Sequence, residues 1–375
     1  MTIKALCIAT DVDRPTAATF VGLRRLGVDV TVVCPQNAAR RGELAAAGVP
    51  FLDIDVGSGF DRGAVRRLRE ALLAGPFDIV HVFTNAALQT AVFAVRGTPA
   101  RLIAYRGIVG NVSFLSPISW LRFLNPRIDR IVCVADAVRN YFLTMRPAFL
   151  RVPAERVVTI HKGHSLDWYT ADPADLASVG VPPGAFTIVC VANYRPRKGI
   201  GVLVDAFERL PAGANAHLLL IGHMDKAPLT QRIAASAARE RIHVLGFRGD
   251  APALVAACDV FVLPSIKREG LARSAIEAMA YGVAPVVTSC GGSPELVVDG
   301  ESGIVVPPGD AAALARALER LRGDAALRKR YGAAARERIR TAFDIETTIK
   351  KTFALYCELA GRLAKDRPAE TSLAE

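Results

Sequence analysis

Two glutamates in the second half of the chain are spaced so that both can hold hydroxyl groups of one ligand. Glu269 follows the apolar run VFVLPS (260–265), and Glu277 lies in the helical segment SAIEAMAYG, which Gly282 ends. The start of a helix offers free backbone N–H groups and a partial positive charge, which favour a phosphate group. An ionised carboxylate accepts two hydroxyl groups at once. The segment predicts a site for a phosphorylated, hydroxyl-rich ligand, although Glu277 alone also fits a charge that suits the helix dipole.

A second loop concentrates positive charge. Arg195, Arg197 and Lys198 follow the apolar run TIVCVAN (187–193), and a helix begins after them at Gly199. Cations beside a helix N-terminus stabilise the negative charge that develops on a departing diphosphate. Three solvated loop cations are the other interpretation. Taken together, the two loops favour a phosphate site.

Short β-branched runs separated by amphipathic segments predict the elements that position these loops. In the first half the runs lie at 4–10, 28–34, 51–55, 78–84, 101–107, 130–135 and 157–163. In the second half they lie at 187–193, 217–223, 241–247, 260–265, 285–289 and 303–307. Strands that alternate with helices form parallel sheets covered on both faces. The sequence therefore predicts an α/β protein with two Rossmann-like, doubly wound domains facing a cleft.

The alternation of strands and helices lapses once, and this lapse predicts the domain boundaries. Residues 164–185 are rich in Ser, Asp, Pro and Gly. We expect a first domain at 1–165, a linker at 166–185 and a second domain at 186–342. Residues 343–375 then form a C-terminal helix, which could pack back on the first domain, and a tail.

Composition excludes several classes of protein. The chain has 375 residues, of which 51% are hydrophobic and 22% charged, so wholesale disorder is excluded. A net charge of +11 favours anionic partners, yet the sequence contains no recognisable nucleic-acid-binding module. Seven cysteines without a C-x-x-C pair indicate a reducing compartment, and the N-terminal segment lacks a signal-peptide pattern. We expect a cytoplasmic protein that binds no nucleic acid.

The second half resembles a known family. The segment EGLARSAIE, which runs from Glu269 to Glu277, leads into EAMA (277–280), GVAPVV (282–287) and GGSPE (291–295). These ordered elements resemble the signature of retaining, nucleotide-sugar-dependent glycosyltransferases of the GT-B fold. That large family includes sucrose-phosphate synthases and bacterial mannosyl- and glucosyltransferases of cell-envelope assembly. Over the first half the resemblance rests on the alternation of strands and helices alone.

The resemblance implies roles for the residues around the second glutamate-bearing loop. Glu277 would bind the ribose hydroxyls of the nucleotide, and Glu269 would lie near the hydroxyls of the donor sugar. The backbone amides of Gly270 and Leu271 would meet the phosphate or the sugar. The domain at 186–342 would then bind the nucleotide-sugar.

The resemblance also implies how the reaction is catalysed. Lys198 would hold the diphosphate with Arg195 as its partner, and Arg197 is the rival for that second role. Together with Glu269, Lys198 and Arg195 are the expected catalytic residues. The departing phosphate would help to deprotonate the acceptor hydroxyl, with retention of configuration. Because protein cations neutralise the leaving group, we expect a UDP- or GDP-linked donor and neither a metal nor another cofactor.

The first half, which the resemblance makes the acceptor domain, departs from the family pattern. The loop DVDRPTAAT after the first apolar run has no glycine, and it carries Asp11 as a possible acceptor contact. Phe83 stands where many members have a histidine that points at the reacting centre. Arg106 stands where many members have His–Gly, and it is a second possible contact to the acceptor or to a phosphate. We expect the acceptor to be a glycan or a lipid-linked molecule.

An aromatic stretch in the same domain predicts where a lipid could bind. Residues 112–127 carry Arg122 and Arg127 beside seven large apolar side chains: Phe114, Leu115, Ile118, Trp120, Leu121, Phe123 and Leu124. Such a surface suits the headgroup layer of an anionic membrane. It would place the enzyme at the inner face of a membrane, in assembly of lipopolysaccharide or another envelope glycan. The alternative is a helix packed in the core, shortened by Pro117.

Other functions remain open at this point. A nucleotide-sugar epimerase shares the GT-B architecture, and a non-enzymatic two-lobed sugar-binding protein would also consist of two α/β domains. A dehydrogenase would need G-x-G-x-x-G after its first strand, which this chain lacks. Asp-x-Asp pairs at 11–13 and 53–55 match a metal-binding motif of glycosyltransferases of a different fold, and we expect neither to hold a metal.

Overall fold

The chain divides into two compact units. The computed structural model describes residues 2–57, 60–147, 149–211 and 213–366. Unit 1 comprises Met1–Gly163 and Ile345–Glu375, and unit 2 comprises His164–Asp344. Each unit contains one six-stranded parallel sheet, so the predicted α/β, doubly wound fold is confirmed. Of the predicted tail, residues 367–375 lie outside the described residues.

Unit 1 is built around a sheet with the strand order β2-β1-β3-β4-β5-β6. Its strands are β1 (Lys4–Ile8), β2 (Asp29–Val33), β3 (Ile79–Val82), β4 (Arg101–Arg106), β5 (Ile128–Cys133) and β6 (Val157–Thr159). Its helices are α1 (Arg14–Arg25), α2 (Arg41–Ala46), α3 (Arg62–Ala74), α4 (Asn85–Ala94), α5 (Pro117–Trp120), α6 (Asp136–Leu143) and α14 (Ile345–Asp366). A short 3-10 turn at Ala154–Arg156 precedes β6.

The last helix of the chain belongs to the core of unit 1. Tyr356 of α14 is fully buried, and its hydroxyl is hydrogen-bonded to Nδ1 of His81 on β3 over 2.9 Å. Gly22 of α1 allows the two helices to approach closely, since a Cβ there would overlap the side chain of Ile349. Helix α14 therefore covers one face of the unit 1 sheet.

Unit 2 has a sheet with the strand order β12-β11-β10-β7-β8-β9. Its strands are β7 (Phe186–Val191), β8 (Ala216–Ile221), β9 (Ile242–Gly246), β10 (Val260–Leu263), β11 (Ala284–Thr288) and β12 (Ile304–Val306). Its helices are α7 (Ile200–Glu208), α8 (Ala227–Ala235), α9 (Ala251–Ala256), α10 (Arg273–Ala280), α11 (Ser293–Leu296), α12 (Ala311–Gly323) and α13 (Ala325–Ala342). The 3-10 turns are Leu166–Trp168, Leu176–Val179, Pro196–Lys198 and Arg239–Arg241.

Both faces of the unit 2 sheet are buried, which explains why its strands are nearly continuous apolar runs. Along β7, Ile188 and Cys190 pack into the core on one face, whereas Val189 and Val191 pack into the core on the other. This alternation is the period-2 geometry of a strand between two helical layers. This packing on both faces fixes the position of β7 and therefore the place where the loop after it begins.

Two segments differ from the sequence prediction. The strand predicted at 51–55 is wrong: Phe51 alone forms an isolated bridge with Val32, and the carboxylate of Asp55 then turns the chain by accepting from the N–H of Gly57. The segment 166–185, predicted as a linker, lies within unit 2. Its Leu166, Tyr169 and Val181 pack into a core there, because apolar side chains in this irregular stretch gain more from burial than from exposure.

Candidate active site

The loops predicted to carry chemistry follow the two central strands of unit 2. Strands β7 and β10 are neighbours, and the chain proceeds from β7 to β8 on one side and from β10 to β11 on the other. In open α/β sheets, ligands bind beyond the carboxyl ends of the strands at such a switch point. The loop 192–199 follows β7 and the loop 264–272 follows β10, so the topology brings them together.

Lys198 and Glu269 meet between these loops. The Lys198 ammonium donates to both carboxylate oxygens of Glu269, at 2.9 Å and 3.2 Å. The Lys198 side chain is 18% exposed and that of Glu269 is 7% exposed. A carboxylate with so little solvent needs compensating donors, and the second donor is the hydroxyl of Ser265, 2.6 Å away. The buried Glu269 carboxylate thus holds the Lys198 ammonium in place between the two loops.

Two glycines allow the loops to approach the pair. Gly199 has φ +68°, and a Cβ there would overlap the carbonyl oxygen of Pro264. Gly291 has φ +58°, and a Cβ there would overlap the carbonyl oxygen of Glu269. Only glycine adopts these conformations without strain. The GGSPE element therefore supports Glu269 through its backbone rather than by contributing a side chain.

Ser265 is a residue that the sequence reasoning missed. It is fully buried just beyond the end of β10, and its carbonyl accepts a hydrogen bond from the hydroxyl of Thr288 over 2.5 Å. Thr288 is the last residue of β11, the neighbouring strand. A polar residue directly after an apolar run was the available signal in the sequence. The two hydroxyls hold the start of the loop and orient the Glu269 carboxylate.

The two candidate arginines are in different environments. The Arg197 guanidinium donates to the carbonyl of Arg268 over 3.3 Å, and the Arg197 carbonyl accepts from the N–H of Ile266. Arg197 thus braces the loop that carries Glu269. Arg195 is exposed, and its guanidinium makes no hydrogen bond or ion pair within the described residues. Arg195 is therefore the one of the two that is available to a ligand.

Helix α10 begins at Arg273, shortly after Glu269, and carries the second glutamate. Gly270 is buried and Leu271 half-buried, and within the described part of the chain their backbone N–H groups donate no hydrogen bond. Glu277 lies one turn into the helix, where the Arg273 guanidinium approaches it at 3.4 Å. The structure therefore gathers Lys198, Glu269 and two free amides at one place, with Glu277 on the adjoining helix.

An exposed aromatic pair lies at the same edge of the sheet and was also missed. His223 follows β8 and Phe247 follows β9, and their rings stack at 5.7 Å with an interplanar angle of 14°. Phe247 is 74% exposed. The pair is connected to the loop 192–199, because the N–H of Tyr194 donates to the His223 carbonyl over 2.8 Å. Its flat face is available for stacking against a ring.

In unit 1 the predicted acceptor residues have different surroundings. Arg106 ends β4, is buried, and donates to the carbonyls of Ile108 and Gly110. Burial lowers the pKa of its guanidinium. Through these hydrogen bonds Arg106 stabilises the loop that follows β4, and it also lines a cavity of about 200 Å³. Asp11 is exposed in the loop after β1.

Three of the four Asp-x-Asp carboxylates have partners within the fold. Asp13 accepts from the N–H of Thr16 at the start of α1 and pairs with Lys162 at 2.6 Å. Burial alone would raise the pKa of Asp13, but these two contacts outweigh it and lower that pKa. Asp53 pairs with Arg41 at 2.9 Å, and Asp55 caps the turn described above. These contacts account for the three carboxylates as parts of the fold.

The aromatic stretch 112–127 is divided between core and surface. Phe114, Phe123 and Leu124 are buried. Four apolar side chains are exposed, namely Leu115, Ile118, Trp120 and Leu121. The helix α5 within it is a single turn beginning at Pro117. The core expectation therefore describes three of these seven side chains, and the surface expectation describes the other four.

The sheets and the loop site define a class of protein, a two-unit α/β enzyme of the GT-B fold. The glycosyltransferase of Rickettsia africae superposes with a TM-score of 0.81 at 20% identity, covering 96% of this chain and 98% of that one. Anabaena HepE in complex with UDP superposes with a TM-score of 0.76 at 22% identity, covering 96% of this chain and all (100%) of that one. At these identities the likeness establishes the fold.

Sequence comparison establishes the family. Residues 172–338 match the family described as glycosyl transferases group 1, and residues 13–163 match the glycosyl transferase 4-like domain. A phosphatidyl-myo-inositol mannosyltransferase of Mycobacterium leprae is 30% identical over 280 residues, or 73% of this chain and 72% of that protein. The chain belongs to the glycosyl transferases group 1 family and is a glycosyltransferase. Among the described residues, no helix combines the length and apolar character that a bilayer-spanning segment needs.

Proposed function

We propose that this glycosyltransferase moves a sugar from a nucleoside-diphosphate sugar to an acceptor hydroxyl with retention of configuration. The observation that carries the proposal is the buried Lys198–Glu269 pair beside the free amides of Gly270 and Leu271. A cation and unpaired N–H groups at a switch point are suited to a diphosphate. A carboxylate beside them is suited to sugar hydroxyls.

Each group in unit 2 has a distinct task in this proposal. Lys198 and Arg195 stabilise the diphosphate as the bond to the sugar breaks, because its charge is largest then. The Glu269 carboxylate keeps Lys198 in place and accepts hydroxyls of the donor sugar. Glu277 accepts the ribose hydroxyls. Since protein cations supply the positive charge, the reaction needs neither a divalent metal nor another cofactor.

The aromatic pair completes the proposed nucleotide site. The exposed face of Phe247, stacked with His223, offers a surface for the base next to the loop that bears Arg195 and Lys198. Stacking tolerates both uracil and guanine, so we propose a UDP- or GDP-linked donor. The HepE structure mentioned above contains UDP, which supports UDP as the first nucleotide to test.

The acceptor is proposed to be lipid-linked, in assembly of lipopolysaccharide or another envelope glycan. The exposed side chains of Leu115, Ile118, Trp120 and Leu121 support this proposal, because an apolar surface on a basic protein suits an anionic membrane. The relative from Mycobacterium leprae is named for a phosphatidyl lipid. The enzyme would then act as a peripheral protein at the inner face of a membrane.

Donor hydrolysis without an acceptor tests the nucleotide-sugar proposal. UDP- and GDP-linked glucose, galactose and mannose are incubated with the wild type, with Lys198→Met and with Lys267→Met. Lys267 is a matched control, since it is an exposed lysine of the same loop as Glu269. We expect one donor to release free sugar with retention, at a rate lost only in Lys198→Met. Release of an epimerised nucleotide-sugar would instead favour an epimerase.

A further inference from the structure

The cavity beside Arg106 in unit 1 has a chemistry that the proposed donor site does not use. It measures about 200 Å³ and lies past the carboxyl ends of β3 and β4. The residues that line it include Asn85, Arg106, Asn111, Ile118 and Arg122. Among the described residues that line it, two carry guanidinium groups and none carries a carboxylate. The cavity is therefore electropositive, and its volume equals the liquid volume of roughly six or seven waters.

Arg122 is the unusual member of this lining. Its Nε is buried from solvent, and within the described residues it has neither a hydrogen-bond partner nor an ion pair with a carboxylate. A buried donor without a partner is costly, more so when it is charged. Arg106 differs, because carbonyls of its own loop satisfy it. Arg122 is thus the cation in the cavity that lacks an anion.

Helix α4 adds neutral donors to the same wall. The helix has ten residues and begins at Asn85. The preceding residue, Thr84, makes no capping hydrogen bond through its side chain, so no side chain of the described part of the N-cap satisfies the first N–H groups of α4. Asn85 and Asn111 also present exposed amide side chains at the rim. Arginine with helix N–H groups is the donor set that recognises a phosphoryl group.

The apolar surface begins at the mouth of this cavity. Ile118 lines the cavity and is also 44% exposed. Leu115, Trp120 and Leu121 continue the exposed surface along the same stretch of chain. The Trp120 indole N–H donates to the Phe114 carbonyl over 2.8 Å, which holds this ring in place. A phosphoryl pocket bordered by fixed apolar side chains matches a molecule with a phosphate at the end of a hydrocarbon chain.

We propose that this cavity binds the phosphoryl group of a lipid, whose hydrocarbon lies over Leu115, Ile118, Trp120 and Leu121. The proposal rests on the proposed function in one respect: it names the acceptor class as a lipid that carries a phosphoryl group. Arg122 supplies the charged donor, and the start of α4 supplies neutral donors. The sugar acceptor hydroxyl belongs to the same lipid.

Calorimetry with a water-soluble lipid phosphate tests the proposal without any sugar donor. Dihexanoyl phosphatidic acid, kept below its micelle concentration, is titrated into the full chain, and inorganic phosphate is titrated separately. We expect Arg122→Gln to weaken binding of the lipid at least about tenfold, the usual effect of losing a charged hydrogen bond. Arg62→Gln is the matched control, since Arg62 is an exposed arginine of the same unit with no side-chain partner among the described residues.

A second set of variants separates the lipid from free phosphate. Ile118→Ser with Leu121→Ser should weaken binding of the lipid and leave binding of inorganic phosphate unchanged. Asn85→Ala, which alters an exposed side chain, provides a pocket variant if Arg122→Gln fails to fold. Equal binding by the wild type and both pocket variants would overturn the proposal. Lipid binding no tighter than that of inorganic phosphate would overturn its lipid part.

Donor hydrolysis distinguishes failure of this proposal from failure of the proposed function. Hydrolysis of the nucleotide-sugar by the wild type is measured separately without lipid, since in the proposed function it depends on the residues of unit 2. If the lipid does not bind while the donor is hydrolysed, the phosphoryl site is wrong and the donor proposal stands. If the lipid binds while no donor is hydrolysed, the donor proposal is wrong and the phosphoryl site stands.

Discussion

Replacement of Lys198 separates its role in stability from its role in catalysis. Lys198→Met leaves the Glu269 carboxylate, 7% exposed, with Ser265 as its remaining side-chain donor. Breaking a fully buried ion pair costs roughly 3–5 kcal/mol. Because Lys198 is partly exposed, we expect about 2–3 kcal/mol here. For a domain of this size that lowers the melting temperature by roughly 4–12 °C.

The same change should lower turnover far more than it lowers affinity for the donor. Loss of one preorganised electrostatic donor typically costs about 10²–10³ in kcat. In the double variant Lys198→Met, Glu269→Gln, the buried charge is gone, so most of the thermal stability should return. Turnover should stay low, because the cation that met the diphosphate is still missing.

Scanning fluorimetry and steady-state rates at saturating donor measure the two effects side by side. Lys267→Met should match the wild type in both. Unchanged turnover in Lys198→Met would refute a catalytic role of Lys198, as would a double variant that regained turnover along with stability. In the second case Lys198 would serve only to neutralise Glu269.

Three further predictions address the nucleotide, the metal and pH. Glu277→Gln should weaken binding of the free nucleoside diphosphate itself, since a ribose contact acts before and during the reaction; unchanged affinity by calorimetry would make Glu277 a helix-dipole residue. Activity should survive EDTA, and a loss restored by Mn²⁺ or Mg²⁺ would contradict the proposed metal independence. Burial lowers the pKa of His81 to about 3, so the folded protein keeps the ring neutral while the unfolded chain protonates it below about pH 6.5. Stability should therefore fall by roughly 1.4 kcal/mol per pH unit as the pH drops below that value, and a His81→Gln variant with an equally steep slope would contradict this.

The parts of the fold that could be predicted from sequence are those governed by burial. Central strands such as β7 and β10 read as apolar runs because both of their faces are covered. The segment 51–55, wrongly predicted as a strand, could not be judged in this way, since its pairing is limited to a single bridge with β2. The segment 166–185 misled for a related reason. Its Pro and Gly residues predict an irregular backbone, but they do not indicate against which core Leu166 and Tyr169 pack.

The candidate site was predictable where backbone chemistry demands particular residues. Gly291 has to be glycine because it touches the backbone of Glu269, and that requirement is part of the motif that singled out the segment. Ser265 and the His223–Phe247 pair were not predictable, because their roles depend on which strands become neighbours. The division of 112–127 between core and surface depends likewise on tertiary packing, since a one-turn helix has too few residues to show a period.

The position of α14 has a consequence for synthesis of the chain on the ribosome. Residues 1–163 emerge before residues 164–344, but Leu355, Tyr356 and Leu359, which fill one side of the core of unit 1, are translated after both segments. The segment 164–344 is continuous and includes all of its own core, so it can finish folding before the unit that precedes it. The unit 1 sheet therefore keeps an apolar face uncovered until α14 has been translated. A premature stop codon after Asp344 would thus remove the helix that covers the unit 1 sheet. The exposed apolar face would then make the nascent protein a target for chaperones and proteases.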